Sequence, residues 1–187
     1  IIDGVTKVFK NHKACIILED DLILNNNCLE FINFGLNKFE NNKDIGSISG
    51  YSYIHNFKKY KNIRWLRSYR HCSWSWGTWK NIWKKIDWNE AKKKYVKKNF
   101  NFYENILSKA GDDIPLLLKG QNLGLINSWA VRFNFFCLIN NYHAINPRYS
   151  LTRNDGFGLK ATNTFNIFKS QTIKFNKLKI NYKNLND

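Results

Sequence analysis

Three consecutive carboxylates, Glu19, Asp20 and Asp21, directly follow an apolar run that begins at Cys15. An apolar run bounded by polar residues predicts a buried strand, and ligands of open α/β sheets gather outside the carboxyl ends of such strands. Carboxylate oxygens at that edge suit a hard cation such as Mg²⁺ or Mn²⁺, which can also bind a diphosphate. Taken alone, the triplet is equally consistent with an acidic loop or a helix cap.

A second pair of acids, Asp112 and Asp113, lies on a turn between Gly111 and Pro115. Proline suits the first turn of a helix, so either acid is a natural N-cap, and capping is the simpler interpretation. A carboxylate there could instead act as a general base toward a hydroxyl, provided that the fold brings it opposite the first acidic cluster.

The segment 70–79 is dense in aromatic residues. Sugar rings and nucleobases pack against aromatic walls that carry a few polar groups. Three tryptophans spaced at i, i+3 and i+7 predict a helix over 76–85 with these rings in the core: Trp76, Trp79 and Trp83. Ser73, Trp74 and Ser75 precede that helix as loop residues that could contact a ligand.

An almost wholly apolar helix is expected after Asn127, with Ser128 as its N-cap and Trp129 and Arg132 in its first turn. The backbone amides at its start could receive a phosphate or an oxyanion, although an ordinary capped helix explains the same pattern. The turn Asn154-Asp155-Gly156 is a weaker signal.

The composition, 43% hydrophobic and 16% aromatic, is that of a globular domain with a real core. The net charge of +16 would attract polyanions, but the Lys, Asn and Ile bias of an AT-rich genome explains it as well. Four widely spaced cysteines without a CxxC pair favour a reducing compartment over a disulfide scaffold. Since no signal peptide or membrane-spanning run is visible, we expect a cytoplasmic protein, with peripheral contact at the anionic inner face of the membrane.

The elements that must position these residues follow from apolar periodicity. A helix end over 1–9, a strand before the acids, a helix over about 28–39 and a strand over 45–51 predict a strand–helix–strand unit in a mainly parallel sheet. Further helices are expected over 76–85, 89–98, 102–109, 113–123 and 128–140, and extended segments near 63–66, 142–146 and 150–152.

In their order, these segments resemble bacterial sugar-nucleotide glycosyltransferases of the GT-A type and, more distantly, the Golgi N-acetylglucosaminyltransferase that initiates complex N-glycans. The resemblance covers about residues 1–164 and depends on an ordered set of motifs: Glu19-Asp20-Asp21, Ser49-Gly50-Tyr51, Ser73 to Trp79, Gly111-Asp112-Asp113, Asn127 to Arg132 and Asn154-Asp155-Gly156. It implies an α/β, Rossmann-like GT-A fold with a mixed, mainly parallel sheet, a catalytic domain over 1–168 and a basic tail over 169–187. In this family a strand and loop that hold the nucleotide base come first, and we expect them upstream of Ile1.

The resemblance also implies roles for individual residues. Asp21 would bind Mn²⁺ or Mg²⁺, which offsets charge on the departing diphosphate, while Glu19 and Asp20 face the nucleotide ribose or support the site. Further donor contacts are expected from Gly50, Tyr51, Ser73 and Trp74. Acceptor or phosphate contacts are expected from Asn127, Ser128, Trp129 and Arg132.

The implied reaction is attack of an acceptor hydroxyl on the anomeric carbon of a nucleotide sugar, for which UDP is the expected nucleotide. A carboxylate removes the proton, with Asp113 as the first choice and Asp112 as the second, and direct attack inverts the configuration. Asn127 replaces an aspartate of some family members, and an amide can hydrogen-bond a hydroxyl but cannot act as a base. The segment Ala161 to Thr164 lacks a histidine that related enzymes carry there as a further metal ligand.

Three other functions compete with a transferase that uses a glycan or lipid-linked acceptor in cell-surface glycan synthesis. A nucleic-acid-binding module would explain the charge and the aromatic residues but leaves the acid triplet unexplained. A metal-dependent nuclease or phosphatase needs further ligands that the sequence does not identify. A catalytically silent relative is the third alternative, because fold does not fix function.

Overall fold

A computed structural model describes residues 1–53, 65–89 and 100–155. Within these ranges the elements follow in this order: α1 (Ile2–Asn11), β1 (Ala14–Ile17), β2 (Leu22–Leu24), α2 (Cys28–Lys38), β3 (Ile45–Ser49), β4 (Trp65–Ser68), β5 (Trp76–Trp79), α3 (Lys80–Trp83), α4 (Phe100–Leu107), a 3₁₀ turn (Ser108–Ala110), α5 (Asp113–Asn122), α6 (Trp129–Ile139), β6 (His143–Pro147) and β7 (Thr152–Asn154). The protein is therefore of the α/β class.

The described strands form two sheets. Five of them lie in the order β1-β5-β3-β6-β4, and β2 pairs with β7 separately. Among these strands only β3 and β6 pair in parallel, so the larger sheet is mixed, as predicted, but it is mostly antiparallel and the prediction of a mainly parallel sheet is wrong. The predicted strand–helix–strand unit is present, since β1 and β3 run in the same direction. The two strands are not neighbours, because β5 runs in the opposite direction between them.

The sheet topology brings the ends of several strands to one edge. Ile17 of β1 and Ser49 of β3 both lie opposite Trp76, the first residue of β5. Because β6 is parallel to β3, the carboxyl ends of β1, β3 and β6 share that edge. The acid triplet follows β1, and Gly50 follows β3, so the two motifs meet there.

Two apolar clusters share helix α6, which explains why that helix is apolar on nearly all sides. Its Phe133 packs against Trp76 and Trp83 in the cluster that includes the main sheet. Its Phe135 packs in the second cluster, against α4 and α5. The helix is therefore buried between the sheet and the smaller helices.

The predicted helix over 76–85 is wrong in its first half, since Trp76–Trp79 is strand β5 and the helix covers only Lys80–Trp83. In a strand, residues three apart point to opposite faces. Trp76 stacks on Trp129 of α6, whereas Trp79 Nε1 donates to the Leu36 carbonyl of α2 at 3.1 Å. The core position predicted for the three tryptophans is confirmed, because the sheet is covered on both faces.

The other predicted helices within the described residues are confirmed as α1, α2, α4, α5 and α6. The strand expected near 63–66 is found at Trp65–Ser68, and β7 begins two residues later than expected. The expected helix over 89–98, the segment 161–164 and the tail over 169–187 lie outside the described residues. No helix in the described ranges is long and apolar enough to cross a membrane.

Candidate functional site

Asp21 is held at the sheet edge by strand β7. Asn154 Nδ2 donates to Asp21 Oδ2 at 2.9 Å, and the Asp155 N–H donates to the Asp21 carbonyl at 2.9 Å. Pairing of β2 with β7, in which Leu22 lies opposite Asn154, sets these contacts. The acid triplet and the motif that begins at Asn154 are therefore in direct contact.

The second carboxylate oxygen of Asp21 is the most informative atom of the site. Oδ1 is buried and has no hydrogen-bond partner among the residues that the structure describes. Leaving a buried acceptor unpaired costs free energy, and such groups in folded proteins need an explanation. A bound cation would provide the missing partner.

The rest of the triplet makes this edge strongly negative. Asp20 is exposed and Glu19 is half-buried. Burial, together with the charges of Asp21 and Asp20, raises the pKa of the Glu19 carboxyl above its usual value. A cation at this edge would reduce the repulsion among the three acids.

The described side chains do not form a complete metal-ligand set on their own. Within the described residues, no three His, Cys, Asp or Glu side chains converge as a metal-ligand set. Mg²⁺ is commonly bound through one or two carboxylates together with substrate phosphates and water. Asp21 and Glu19 can supply that partial set of ligands.

Gly50 packs the aromatic loop tightly against the end of β3. Its N–H donates to the Ser75 carbonyl at 2.7 Å, and its carbonyl accepts from the Leu151 N–H at 2.7 Å. A Cβ at this position would lie 2.4 Å from Ser75 Oγ and 2.6 Å from Cys28 Sγ. Any side chain would therefore displace the loop 73–75.

Three aromatic rings form a wall beside the edge: Tyr51, Tyr53 and Trp74. Tyr51 packs edge-on against Tyr53 at 4.8 Å and against Trp74 at 4.7 Å between ring centroids. Asn146 Nδ2 donates to the Tyr51 carbonyl at 3.0 Å, which fixes its backbone. Burial raises the pKa of Tyr51 to about 12, so its hydroxyl is neutral at physiological pH. We refer to these rings as the aromatic wall.

Arg70 joins the aromatic wall to the second acidic pair. Its guanidinium donates to both carboxylate oxygens of Asp113, at 2.7 and 2.9 Å, and lies over the Tyr53 ring at 5.3 Å. Burial alone would raise the pKa of Asp113, but the hydrogen bond and charge of Arg70 outweigh it and lower that pKa. Sequence reasoning singled out neither Arg70 nor Tyr53, because the partners of Arg70 are distant in the chain.

The two acids of the turn have different environments. Gly111 has a φ of +127°, and a Cβ there would lie 2.8 Å from Asp113 Oδ1, so the turn requires glycine. Asp112 is exposed and its side chain makes no capping hydrogen bond. Asp113 is thus fixed as an anion by Arg70, while the Asp112 carboxylate faces solvent.

Cys72 is buried beside the aromatic wall. Burial raises the pKa of the Cys72 thiol to about 11, and the negative charge of Glu19 adds to this effect. A hydrogen bond from Tyr53 acts in the opposite direction. Tyr53 therefore contacts Cys72 directly, and the Glu19 carboxylate lies within electrostatic range of the same thiol.

The predicted acceptor or phosphate residues lie at the start of α6. Arg132 donates to Asn127 Oδ1 at 3.1 Å and to the Ser128 carbonyl at 3.3 Å, and Ser128 Oγ caps the helix as predicted. The Trp129 ring stacks on Trp76 with centroids 5.3 Å apart. Since Trp76 lies opposite Ile17, this stack connects the helix start to the edge that carries the acid triplet.

A buried polar network lies between the sheet and α6. The Ser47 hydroxyl is 2.7 Å from His71 Nδ1, and His71 Nε2 donates to the Tyr142 carbonyl at 3.3 Å. Asn134 bonds both the N–H and the carbonyl of His71. With His71 only 3% exposed, this Ser–His pair has no access to a substrate and holds the fold together.

Comparison with known proteins gives no family for this chain. No protein-family profile matches the sequence, and no curated protein matches it significantly. A function for the chain must therefore be inferred from the acid triplet, the aromatic wall and the turn at Asp112.

Proposed function

We propose that this chain is a metal-dependent glycosyltransferase of the GT-A type, which transfers a sugar from a nucleotide-diphosphate donor, with UDP as the nucleotide, to an acceptor hydroxyl. The acceptor is a glycan or a lipid-linked glycan of the cell surface. The observation that carries the proposal is the buried Oδ1 of Asp21 at the carboxyl edge of the sheet, which is unpaired within the described part of the chain.

In this proposal Asp21 holds Mn²⁺ or Mg²⁺ together with the donor diphosphate, and Glu19 supports the same cation. The cation supplies positive charge that stabilises the departing diphosphate. Asp20, which is exposed beside them, is available to the nucleotide ribose. Asn154 orients the Asp21 carboxylate by occupying its other oxygen.

The aromatic wall is the proposed surface for the rings of the donor. Aromatic side chains with nearby polar groups bind sugars and bases by stacking and by a few directed hydrogen bonds. Trp74 is half-buried and keeps part of its surface accessible, and Ser73 beside it adds a hydroxyl. Gly50 contributes by allowing the loop to approach the end of β3.

We assign the general base to Asp112 in preference to Asp113. A carboxylate held in a bidentate ion pair with a lowered pKa is a weak proton acceptor, so Asp113 serves to fix the turn. In the reaction the acceptor oxygen bonds to the anomeric carbon, its proton passes to Asp112, and the bond from that carbon to the diphosphate breaks. Direct attack gives inversion of configuration.

Asn127 and Arg132 are the proposed polar contacts of the acceptor at the start of α6. Asn127 is exposed, and it accepts the Arg132 hydrogen bond through Oδ1. Its amide hydrogens take no part in that bond and can donate to a sugar hydroxyl. Arg132 carries a positive charge that suits a phosphate or a glycan carboxylate. Ser128 and Trp129 hold this helix start against Gln121 and Trp76, respectively.

Release of UDP from a panel of UDP-sugars, measured in Mn²⁺ with mixed glycan acceptors, tests the proposal. We expect release to require Mn²⁺, to be lost in Asp21→Asn and to persist in Asp3→Asn, an exposed acid on α1. Asp112→Asn should lower kcat while leaving UDP affinity unchanged. Metal-dependent phosphodiester cleavage without sugar-nucleotide turnover would contradict the transferase proposal and favour a nuclease.

A further inference from the structure

An exposed apolar surface on α5 and the turn after it has no role in the proposed site. Its four leucines are exposed by 67%, 37%, 65% and 75%, respectively: Leu116, Leu117, Leu123 and Leu125. Contiguous exposed apolar groups mark sites that contact a partner or a membrane, whereas single ones need no explanation. We call these four residues the leucine patch.

The local structure determines on which face of α5 the leucine patch lies. Leu116, Lys119 and Leu123 follow one another at i, i+3 and i+7 on one face of α5, while Leu118 is fully buried on the other. Gly124 has a φ of +75°, and the Leu125 N–H donates to the Gly120 carbonyl at 2.9 Å. This glycine-dependent turn holds Leu123 and Leu125 at the end of the helix.

The charges around the leucine patch favour an anionic lipid surface over a second copy of the chain. Lys119 lies within the patch, whereas Lys109 lies at the other end of α5, with its Nζ over the Tyr69 ring at 5.4 Å. Self-association through this face would bring the Lys119 side chains of two copies together, and the net charge of +16 opposes it further. Lysines beside inserted leucines are typical of segments that bind the interface of an anionic membrane.

We propose that the leucine patch inserts into the interface of a membrane that contains anionic lipid. The face of α5 that carries Leu116, Lys119 and Leu123 enters the interface together with the turn at Gly124, while Asp112 and Asp113 lie at the start of the helix. The consequence for catalysis rests on the proposed function, because docking by α5 would place Asp112 near a lipid-linked acceptor. Membrane binding itself depends only on the leucines and lysines.

Flotation with vesicles tests this proposal without nucleotide, metal or acceptor, so its outcome is independent of transferase activity. We expect the chain to bind phosphatidylcholine vesicles that contain phosphatidylglycerol and to bind pure phosphatidylcholine much more weakly. The triple variant Leu116→Ser, Leu123→Ser and Leu125→Ser should lower partitioning by about tenfold or more. Leu29→Ser, at an exposed leucine of α2, should leave it unchanged.

A charge reversal separates the contribution of lysine from that of leucine. Lys119→Glu should weaken binding to anionic vesicles, whereas Lys84→Glu, at an exposed lysine after α3, should have a smaller effect. Absence of vesicle binding, or equal losses in Leu29→Ser and the triple variant, would overturn the proposal. So would light scattering that shows a dimer of the native chain and a monomer of the triple variant, since the patch would then be a contact between copies.

Discussion

Asn154 donates a hydrogen bond of 2.9 Å to one carboxylate oxygen of Asp21, 133 residues earlier in the chain, and the other oxygen is buried with no partner in residues 1–53, 65–89 and 100–155. The two residues meet because β2 and β7 pair antiparallel beside the main sheet. One oxygen is thus fixed by the fold, and the second is left to a ligand. A carboxylate that binds a cation needs one oxygen that the protein holds in place and one oxygen that the cation can reach.

Replacing Asn154 by aspartate should make stability depend on metal. The variant loses the hydrogen bond and places a second carboxylate against Asp21, so in EDTA we expect the free energy of unfolding to fall by about 1–3 kcal/mol. Mn²⁺ should raise the melting temperature of Asn154→Asp more than that of the native chain, since two carboxylates can then share the cation. Asn42→Asp, at an exposed site, is the control, and identical responses of the two variants to Mn²⁺ would count against a cation at Asp21.

The Arg70–Asp113 pair should show measurable coupling in a double-mutant cycle. Arg70→Lys removes the two-pronged donor, and Asp113→Asn removes the charge. Because 55% of the Asp113 side chain is exposed, we expect a coupling free energy of only about 1 kcal/mol. The Arg153–Asp155 pair, whose members are two residues apart, is the comparison and should give less. Additive effects at Arg70 and Asp113 in urea denaturation would show that the pair does not fix the turn.

Glycine at position 50 should be required for the loop that carries the aromatic wall. Gly50→Ala forces a Cβ against Ser75 Oγ and Cys28 Sγ, and we expect a loss of about 1–3 kcal/mol in the free energy of unfolding. Gly4→Ala, in α1 with no atom of the described residues within 4 Å of the place where its Cβ would lie, should instead stabilise the chain by about 0.5–1 kcal/mol. Thermal denaturation measures both, and a neutral Gly50→Ala would show that the loop packs less tightly than described.

Stability should fall in mild acid because of His71. Burial lowers the pKa of His71 from 6.5 to about 4, so the unfolded chain takes up a proton at a higher pH than the folded chain does. The contribution of neutral His71 to the free energy of unfolding is complete above pH 6.5 and is lost as the pH falls to about 4. The total loss is about 3 kcal/mol. Urea denaturation at several pH values gives the free energy of unfolding, which should depend less steeply on pH in His71→Gln than in the native chain or in His12→Gln. Equal slopes in all three would refute this origin of acid sensitivity.

Local pattern was sufficient to predict most of the helices and the strand before the acid triplet. The apolar face of α2 and the Ser128 cap of α6 are signals contained within a few residues. The sheet order was not predictable in this way, because β5 enters between β1 and β3 from a distant part of the chain. Tryptophans three apart fit both a helix face and a strand buried on both sides, so the pattern over 76–79 predicted a helix where the chain forms a strand.

The candidate site was predicted as separate motifs, and its connections come from the fold. Glu19, Asp21 and Trp74 were identified from residue type and local context, and Gly50 was implied by the family resemblance alone. Their links, such as Arg70 to Asp113 and Asn154 to Asp21, join residues between 43 and 133 positions apart, and one sequence carries no sign of such contacts. The Ser47–His71 network was missed for the same reason.

Isothermal titration of UDP with and without Mn²⁺ tests the central claim, that Asp21 holds a cation for a nucleotide diphosphate. The measurement compares the native chain with Asp21→Asn and with the matched surface variant Asp3→Asn. We expect UDP to bind only with Mn²⁺, its affinity to fall by about tenfold or more in Asp21→Asn, and Asp3→Asn to match the native chain. UDP binding that is absent under all conditions, or that is unaffected by Mn²⁺ and by Asp21→Asn, would contradict the account.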